Sequence, residues 1–424
     1  MVQADDALWG QPRPLRTASL IQLGLELARH AAARHAQDEA GGIWGATRDA
    51  DGHLVLGEPE LDAAPVDDVL AIARRLLEGA LKKLPRRQPV STTHLLSHLA
   101  LMADLPPTLL ALLAEASSPD PRLRPPDGVA LWARLAAAEA VAEVRASAPQ
   151  PRSAEWSVGH DTHIGAYKSR QGQTNQDALF YQATGGIALL IVADGISIST
   201  AGSGNLASAL LVQVAAAMWE EHAASLQGAA PEKLDAFLVS MLAEANETVC
   251  AASLRLAGGS LQQHIPMGTT VVAVLARGAT LHIASLGDSR AYLVGSHGAA
   301  LLTGDQNLRG EWLRSWQTPV PVPLLSDGHA LVGYIGHFNS DSEAEALPPE
   351  LRRVRALPGE VLLLCSDGLN DYAASSHAAM NRLISAAVTQ HEDLATAARR
   401  LVEHANTGGG GDNVTVLLAR LNRD

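Results

Sequence analysis

The sequence predicts an α+β protein in which a mainly α-helical N-terminal domain precedes an antiparallel β-sandwich flanked by helices. Three observations predict it. Apolar residues recur at spacings of three and four through the first 145 residues, the helical period. Beyond residue 156 short β-rich apolar runs bounded by glycine and aspartate take over. Those runs come in hairpin-like pairs separated by helices, without the regular strand-helix alternation of a doubly wound parallel sheet. The chain has 424 residues, 47% hydrophobic and 18% charged, which excludes disorder and predicts roughly two or three packed units.

In the N-terminal part the helical period is carried by Leu20, Leu23 and Leu27, by Val69, Ile72 and Leu76, and by Leu109, Leu112 and Leu113. Trp9, Trp44 and Trp132 are expected in its core or at an interface. Residues 146–155 lose the period and carry Pro149 and Pro151, which suit an extended connector. The sequence therefore divides into a helical domain at 1–145, a linker at 146–155 and a second domain at 156–424.

In the second domain, Ala188 to Ala193, Thr269 to Leu275, Leu281 to Leu286, Val361 to Cys365 and Asn413 to Leu418 read as buried strands. His160 and His163 are placed at the flanks of the first strand. Amphipathic helices are expected at Leu206 to Glu220, Pro231 to Leu254 and His391 to Asn406, with Pro231 opening one helix and Gly408 closing another.

Charge and cysteine content narrow the function classes. Lys and Arg number 32 against 45 Asp and Glu, a net charge of −13 without a basic block, so neither nucleic acid nor an anionic membrane is the expected partner. Two cysteines, Cys250 and Cys365, exclude a disulfide framework. No apolar stretch reaches the roughly 18 to 20 residues that span a bilayer, and the first residues lack the basic and apolar regions of a signal peptide, so a cytoplasmic location is expected.

Four aspartates stand at strand ends. Asp177 precedes one run, Asp194 and Asp367 follow two others, and Asp412 precedes the last. Taken singly, an aspartate beside a strand is a turn residue. If residues 178–193 fold back at Thr184-Gly185-Gly186, however, Asp177 and Asp194 face each other at the open end of the hairpin. Clustering four anions without a compensating lysine in the motifs calls for a cation, and oxygen-only ligands select Mg²⁺ or Mn²⁺ over zinc.

Six strings carry a family resemblance: Asn175-Gln176-Asp177, Val192-Ala193-Asp194-Gly195, Met267-Gly268-Thr269-Thr270, Gly287-Asp288-Ser289-Arg290, Cys365-Ser366-Asp367-Gly368-Leu369-Asn370-Asp371 and Gly411-Asp412-Asn413-Val414-Thr415. In this order and spacing residues 156–424 resemble the metal-dependent protein phosphatases, the protein phosphatase 2C or PPM family. The resemblance implies a Ser/Thr phosphatase on a β-sandwich with two Mn²⁺ or Mg²⁺ ions at one edge. In it Asp194 bridges the ions, the carbonyl of Gly195 binds one, Asp367 and Asp412 hold the first, and Asp177 acts through the second and its waters. Asp288 and Asp371 match the positions of a third, weaker ion. Direct attack by water then needs no phosphoenzyme, and Cys365 and Cys250 are core residues.

The sequence also departs from that family. Gly172 stands five residues before Asp177, where the phosphate-binding arginine is expected; Arg170 is the preferred substitute because its guanidinium forks, and Lys168 is the other cation in reach. Gln176 replaces an acidic residue and can orient water by hydrogen bonding. Ile196-Ser197-Ile198-Ser199 replaces a His-bearing run, which leaves the general acid open, with His160 and His163 as the nearest histidines. Gly268 is expected to pack near the bend at Asp288, and substrate choice is assigned to residues 303–350. Residues 19–140 resemble, more faintly, the C-terminal lobe of a Ser/Thr protein kinase, in Ala46 to Leu56, Leu105-Pro106-Pro107 and Ala116 to Pro125. With no Gly-rich loop, strand lysine or His-Arg-Asp triplet, that resemblance implies a partner-binding remnant. The expected function is a metal-dependent protein Ser/Thr phosphatase acting on phosphoproteins, with a cognate Ser/Thr kinase as a further partner. The alternative is a pseudophosphatase that holds a phosphoprotein or a kinase without turnover.

Overall fold

A computed structural model describes residues 17–36, 47–48, 54–55, 64–80, 107–117, 121–147, 155–296, 298–308, 328–340 and 342–422. The described residues up to Ser147 form one compact unit and those from Glu155 onward a second.

The first unit contains helices α1 (Thr17–His35), α2 (Pro65–Ala80), α3 (Pro107–Ala116) and α4 (Gly128–Ser147) and a short antiparallel pair, β1 (Thr47–Arg48) with β2 (Leu54–Val55). Leu23, Leu27, Val69, Ile72, Leu76, Leu109, Leu112 and Leu113 are buried, so the three-and-four period does mark the packed faces. Gly128 opens α4 against α1, where a Cβ would stand 2.6 Å from the Ala32 nitrogen. Trp132 contributes little to this core, being 45% exposed. Trp9 and Trp44, most of the stretch 46–57, Leu105-Pro106 and residues 118–120 lie outside the described residues.

The second unit is a sandwich of two five-stranded antiparallel sheets. It begins with β3 (Trp156–His163) and the five-residue helix α5 (Ala166–Arg170), followed by the hairpin β4 (Asp177–Thr184) and β5 (Ile187–Asp194). Helices α6 (Gly204–Leu226) and α7 (Pro231–Leu256) intervene before strands β6 (Val271–Arg277), β7 (Thr280–Leu286), β8 (Arg290–Gly295) and β9 (Gly298–Leu301). After β10 (Glu350–Arg355) and β11 (Val361–Cys365) come α8 (Asp367–Tyr372), α9 (His377–Gln390), α10 (Leu394–Thr407) and β12 (Val414–Leu421). One sheet has the order β10-β7-β6-β5-β4, the other β3-β12-β11-β8-β9.

The sandwich interior is aliphatic: Leu190, Val192, Val272, Val274 and Ile283 of the first sheet meet Leu293, Leu362, Leu364 and Leu417 of the second. The outer face of the first sheet, with Leu189, Ile191 and Leu275, is covered by Leu211, Trp219, Leu238 and Met241 of α6 and α7. Both faces of β5 are therefore dry, which is why it reads as an unbroken apolar run rather than an alternation. At Gly185 and Gly186, φ is 55° and 82°; two positive φ values in a two-residue turn match the right-handed twist of the strands and set the register of the hairpin. Among the described residues, no helix is long and apolar enough to cross a membrane.

Three expectations need correction. His160 and His163 lie within β3 rather than flanking it, because β3 starts at Trp156 and pairs with β12 along its whole length. Gly268 does not pack on the bend at Asp288: its Cα faces Ile196 and the Ile335 carbonyl, and Thr270 fills the space at Gly287 instead. The third helix starts at Leu394, because Asp393 caps it by accepting from the Thr396 N–H at 2.9 Å. Of the segment 303–350, residues 309–327 and Asp341 lie outside the described residues.

Candidate active site

The β4–β5 register makes Asp177 and Asp194 direct antiparallel partners at the open end of the hairpin. Each is then fixed from a different side. The Asp194 carbonyl accepts from the Thr270 N–H and the Thr269 hydroxyl, both at 2.8 Å, and the Asp194 N–H donates to Thr270 Oγ1 at 3.2 Å. Thr270 Oγ1 also shares a 2.7 Å hydrogen bond with Ser289 Oγ. On the other side Ser366, fully buried, donates its hydroxyl to Asp177 Oδ2 at 2.8 Å and accepts the Thr415 N–H at 2.9 Å. The segments before β4, after β11 and before β12 are thereby tied together.

Asp367 opens α8 two residues after β11, and Asp412 lies two residues before β12. Gly368 lets these segments close, since a Cβ there would stand 2.1 Å from the Asn413 carbonyl oxygen. Asn413, also buried, donates to the Ile164 carbonyl at 2.7 Å and accepts the Gln176 N–H at 3.0 Å, so one amide joins the turns carrying Asp177 and Asp412. Gly195 packs on the first turn of α6, its N–H donating to the Gln176 carbonyl at 3.1 Å. The Gln176 side chain accepts from Ser197 Oγ at 2.6 Å.

Burial drives the electrostatics. It pushes the Asp177 carboxyl up to about 6, against hydrogen bonds from Thr415 and Ser366 that favour the anion, with the Asp412 charge adding to the rise. Asp194 is held well above the ordinary carboxylate range by burial and then by the charges of Asp177 and Asp367. Asp367 is raised as strongly, by burial and then by Asp288, Asp371 and Asp412. Two oxygens, Asp177 Oδ1 and Asp367 Oδ1, are buried without a hydrogen-bond partner. Unpaired carboxylate oxygens pointing into a shared anionic space are costly unless a cation meets them.

Among the described residues, no three His, Cys, Asp or Glu side chains are grouped so that they could hold a metal ion by themselves. That is compatible with hard divalent ions, which keep several waters and take only one or two carboxylates each. The orphaned oxygens and the all-oxygen donor set fit Mg²⁺ or Mn²⁺; the thiol of Cys365, pushed up to about 12 by burial, is unsuited to the role of ligand or nucleophile.

The remaining predicted residues are placed as follows. Asp288 is buried in the bend between β7 and β8, accepts from Asn307 Nδ2 at 3.3 Å, and is pushed up to about 7 by burial and the nearby Asp305. Asp371 lies on α8 with its side chain exposed. Arg170 is exposed, its Nε donating to the Ala166 carbonyl at 3.0 Å. Lys168, in contrast, is drawn in: its ammonium is paired with Asp412 and its side chain is 12% exposed. His163 Nδ1 accepts the Gly165 N–H at 2.9 Å, and His160 is exposed on β3. Ser366, Asn413 and Thr270 were not singled out from the sequence, although each stands beside a motif aspartate or within the Met267 to Thr270 string.

The fold of the second unit is similar to that of the serine/threonine phosphatase of S. agalactiae. The match covers 63% of this chain and 100% of that one, with a TM-score of 0.52 and 26% identity. The class of protein is thus a phosphatase sandwich. The family model described as Protein phosphatase 2C matches residues 164–406, and the chain belongs to that family. It is 30% identical to the serine/threonine phosphatase stp of Listeria monocytogenes, over 54% of this chain and 83% of that protein. It is also 32% identical to the protein phosphatase PhpP of Streptococcus pneumoniae, over 37% of this chain and 60% of that protein.

Proposed function

We propose that this phosphatase hydrolyses phosphoserine and phosphothreonine monoesters of proteins by direct attack of water, using two Mn²⁺ or Mg²⁺ ions. The observation that carries the proposal is the set of half-buried, mutually repelling carboxyls of Asp177, Asp194 and Asp367, two of which present an oxygen without a partner. Divalent ions held there supply a hydroxide-generating acid for water near neutral pH and neutralise phosphoryl oxygens.

The chain's own residues do the positioning. Asp194, pinned through its backbone by Thr269 and Thr270, presents its carboxylate between those of Asp177 and Asp367, and the Gly195 carbonyl is the adjoining backbone donor. Ser366 orients Asp177 by occupying Oδ2, which leaves Oδ1 without a hydrogen-bond partner. Asp412 completes the acid set from the turn before β12. Asp288 and Asp371 are the candidate ligands of a third, weaker ion. Substrate phosphate is assigned to Lys168 or Arg170, the cations of α5. A cytoplasmic setting, a cognate kinase as partner, and a partner-selecting role for residues 1–145 as a kinase-lobe-like module belong to this proposal.

The test is hydrolysis of para-nitrophenyl phosphate and a phosphothreonine peptide with Mn²⁺, Mg²⁺ or EDTA, alongside Asp194→Asn and Asp367→Asn. Metal-dependent turnover lost in both variants is expected. Folded wild-type protein that binds phosphopeptide and Mn²⁺ without consuming the peptide would overturn the enzyme reading in favour of a pseudophosphatase.

A further inference from the structure

Lys168 sits where an acidic metal site has least use for a lysine. Its helix, α5, is short and pinned to the turn that carries Asp412: the Tyr167 N–H donates to the Gly410 carbonyl at 2.9 Å, and the Ala166 N–H to Asn406 Oδ1 at 2.7 Å. Gly165, at φ 96°, makes the approach possible, because a Cβ there would stand 2.2 Å from the Asp412 carbonyl oxygen. The ammonium and the carboxylate are therefore carried by one rigid piece of backbone. Holding the pair together costs little chain entropy, so the lysine acts at high effective concentration.

We propose that Lys168 is a tethered counter-cation that competes with a divalent ion for Asp412, so that this chain loads metal at that carboxylate more weakly than the same chain without the lysine. The inference rests on the two-ion reading above. Two observations carry it. Of the two cations on α5, only Lys168 is turned into the acid cluster, with Arg170 spent on its own helix. The Lys168 side chain is also mostly withdrawn from water, so its charge would be poorly screened from a dication held by Asp412. A lysine suits the role because its ammonium is a compact point charge on a flexible stem that can swing off the carboxylate, whereas a guanidinium would hold it by two parallel bonds.

The experiment titrates Mn²⁺ into the full chain by calorimetry and by the electron paramagnetic resonance of free Mn²⁺. It compares wild type, Lys168→Met, Lys168→Gln and, as the site reference, Asp412→Asn alone and combined with Lys168→Met, with melting temperatures in EDTA and in Mn²⁺. Expected is an approximately tenfold tightening of one Mn²⁺ site in both lysine variants, about 1.4 kcal/mol, and no such tightening where Asp412 is already asparagine. Removing the cation paired with Asp412 should lower the melting temperature in EDTA, while the increment produced by Mn²⁺ grows, as binding linkage requires. Unchanged or weaker Mn²⁺ affinity in the lysine variants, or an equal loss of melting temperature with and without Mn²⁺, would overturn the proposal and leave Lys168 as a structural ion pair. Wild-type protein that binds no Mn²⁺ would overturn the two-ion reading itself, a separate result.

Discussion

The phosphatase unit contains two groups of buried or half-buried acids that are built on opposite principles. Around Asp235 on α7 every acid has a partner: Asp235 Oδ1 pairs with His282 Nδ1 at 2.6 Å, and Arg353 donates to Asp235 Oδ2 from Nε at 2.8 Å and Nη2 at 2.6 Å, and to Glu232 at 3.1 Å. Burial works to raise the Asp235 carboxyl, but the hydrogen bonds from Arg353 and His282 outweigh it and hold the group below its ordinary value. At Asp177, Asp194 and Asp367 the same burial acts without cationic partners, and all three rise. An acid group satisfied by the chain stabilises the fold; an acid group left unsatisfied holds repulsion that a bound proton or a bound cation relieves.

Charge removal is therefore expected to act in opposite directions at the two groups. The largest effect is on turnover. Asp194→Asn and Asp367→Asn should each cut metal-dependent hydrolysis by more than the ~100-fold that losing a supporting residue costs, measured with a phosphothreonine peptide, while Asp235→Asn leaves it at the wild-type level. Next comes Ser366→Ala, which frees Asp177 Oδ2 to rotate; a fall of about 10- to 100-fold in activity or Mn²⁺ affinity is expected, together with a lower melting temperature in EDTA, because the Thr415 N–H loses its buried acceptor.

Stability should show the reverse ranking. Asp235→Ala strips His282 and Arg353 of their shared anion and should destabilise by about 1–3 kcal/mol, seen in urea unfolding. Asp194→Asn should raise the melting temperature of the EDTA-treated protein at pH 8 by a few degrees, because it removes one of the repelling charges. A fall would break the comparison.

The smallest effect is in pH dependence. A carboxyl whose folded value is raised binds a proton that the unfolded chain has already lost, so its share of stability falls as pH rises. For Asp177 that window runs from the ordinary value of 3.8 to about 6, and for Asp288 from 3.8 to about 7. Asp235, lowered, works the other way, and its share is lost as the solution is acidified below the ordinary carboxylate range. Metal-free protein should thus lose part of its stability between about pH 4 and 7, and added Mn²⁺ should restore it at the upper end. Melting temperatures in EDTA across that range, for wild type and Asp177→Asn, check the sign.

Much of this was legible in the chain. The hairpin turn at Gly185-Gly186 and the apolar run Ile187 to Ala193 are local features, and they suffice to bring Asp177 opposite Asp194. Strands written in alternating or charged residues were less legible. In β10, Glu350–Arg355, arginines occupy half the positions, and β3 carries two histidines, because each lies at a sheet edge where one side faces water. Helix α9 was not expected, although Met380, Ile384, Ala387 and Val388 recur on its buried face at helical spacing. The supporting residues were hidden for a different reason. Ser366, Asn413 and Thr270 act across separations of 189, 237 and 76 residues, and nothing in their own neighbourhoods signals the partner.

The sequence by itself determined the class of fold, the order of the six motifs and the four aspartates at strand ends, because period, turn chemistry and strand ends are short-range properties of a chain. The tertiary structure alone decided which oxygens are left without partners, which acids repel and which are paired, and that Lys168 rather than Arg170 turns into the cluster. Those outcomes depend on burial and on distances between segments far apart in the chain, and the free energy of a charge is set by what surrounds it in space.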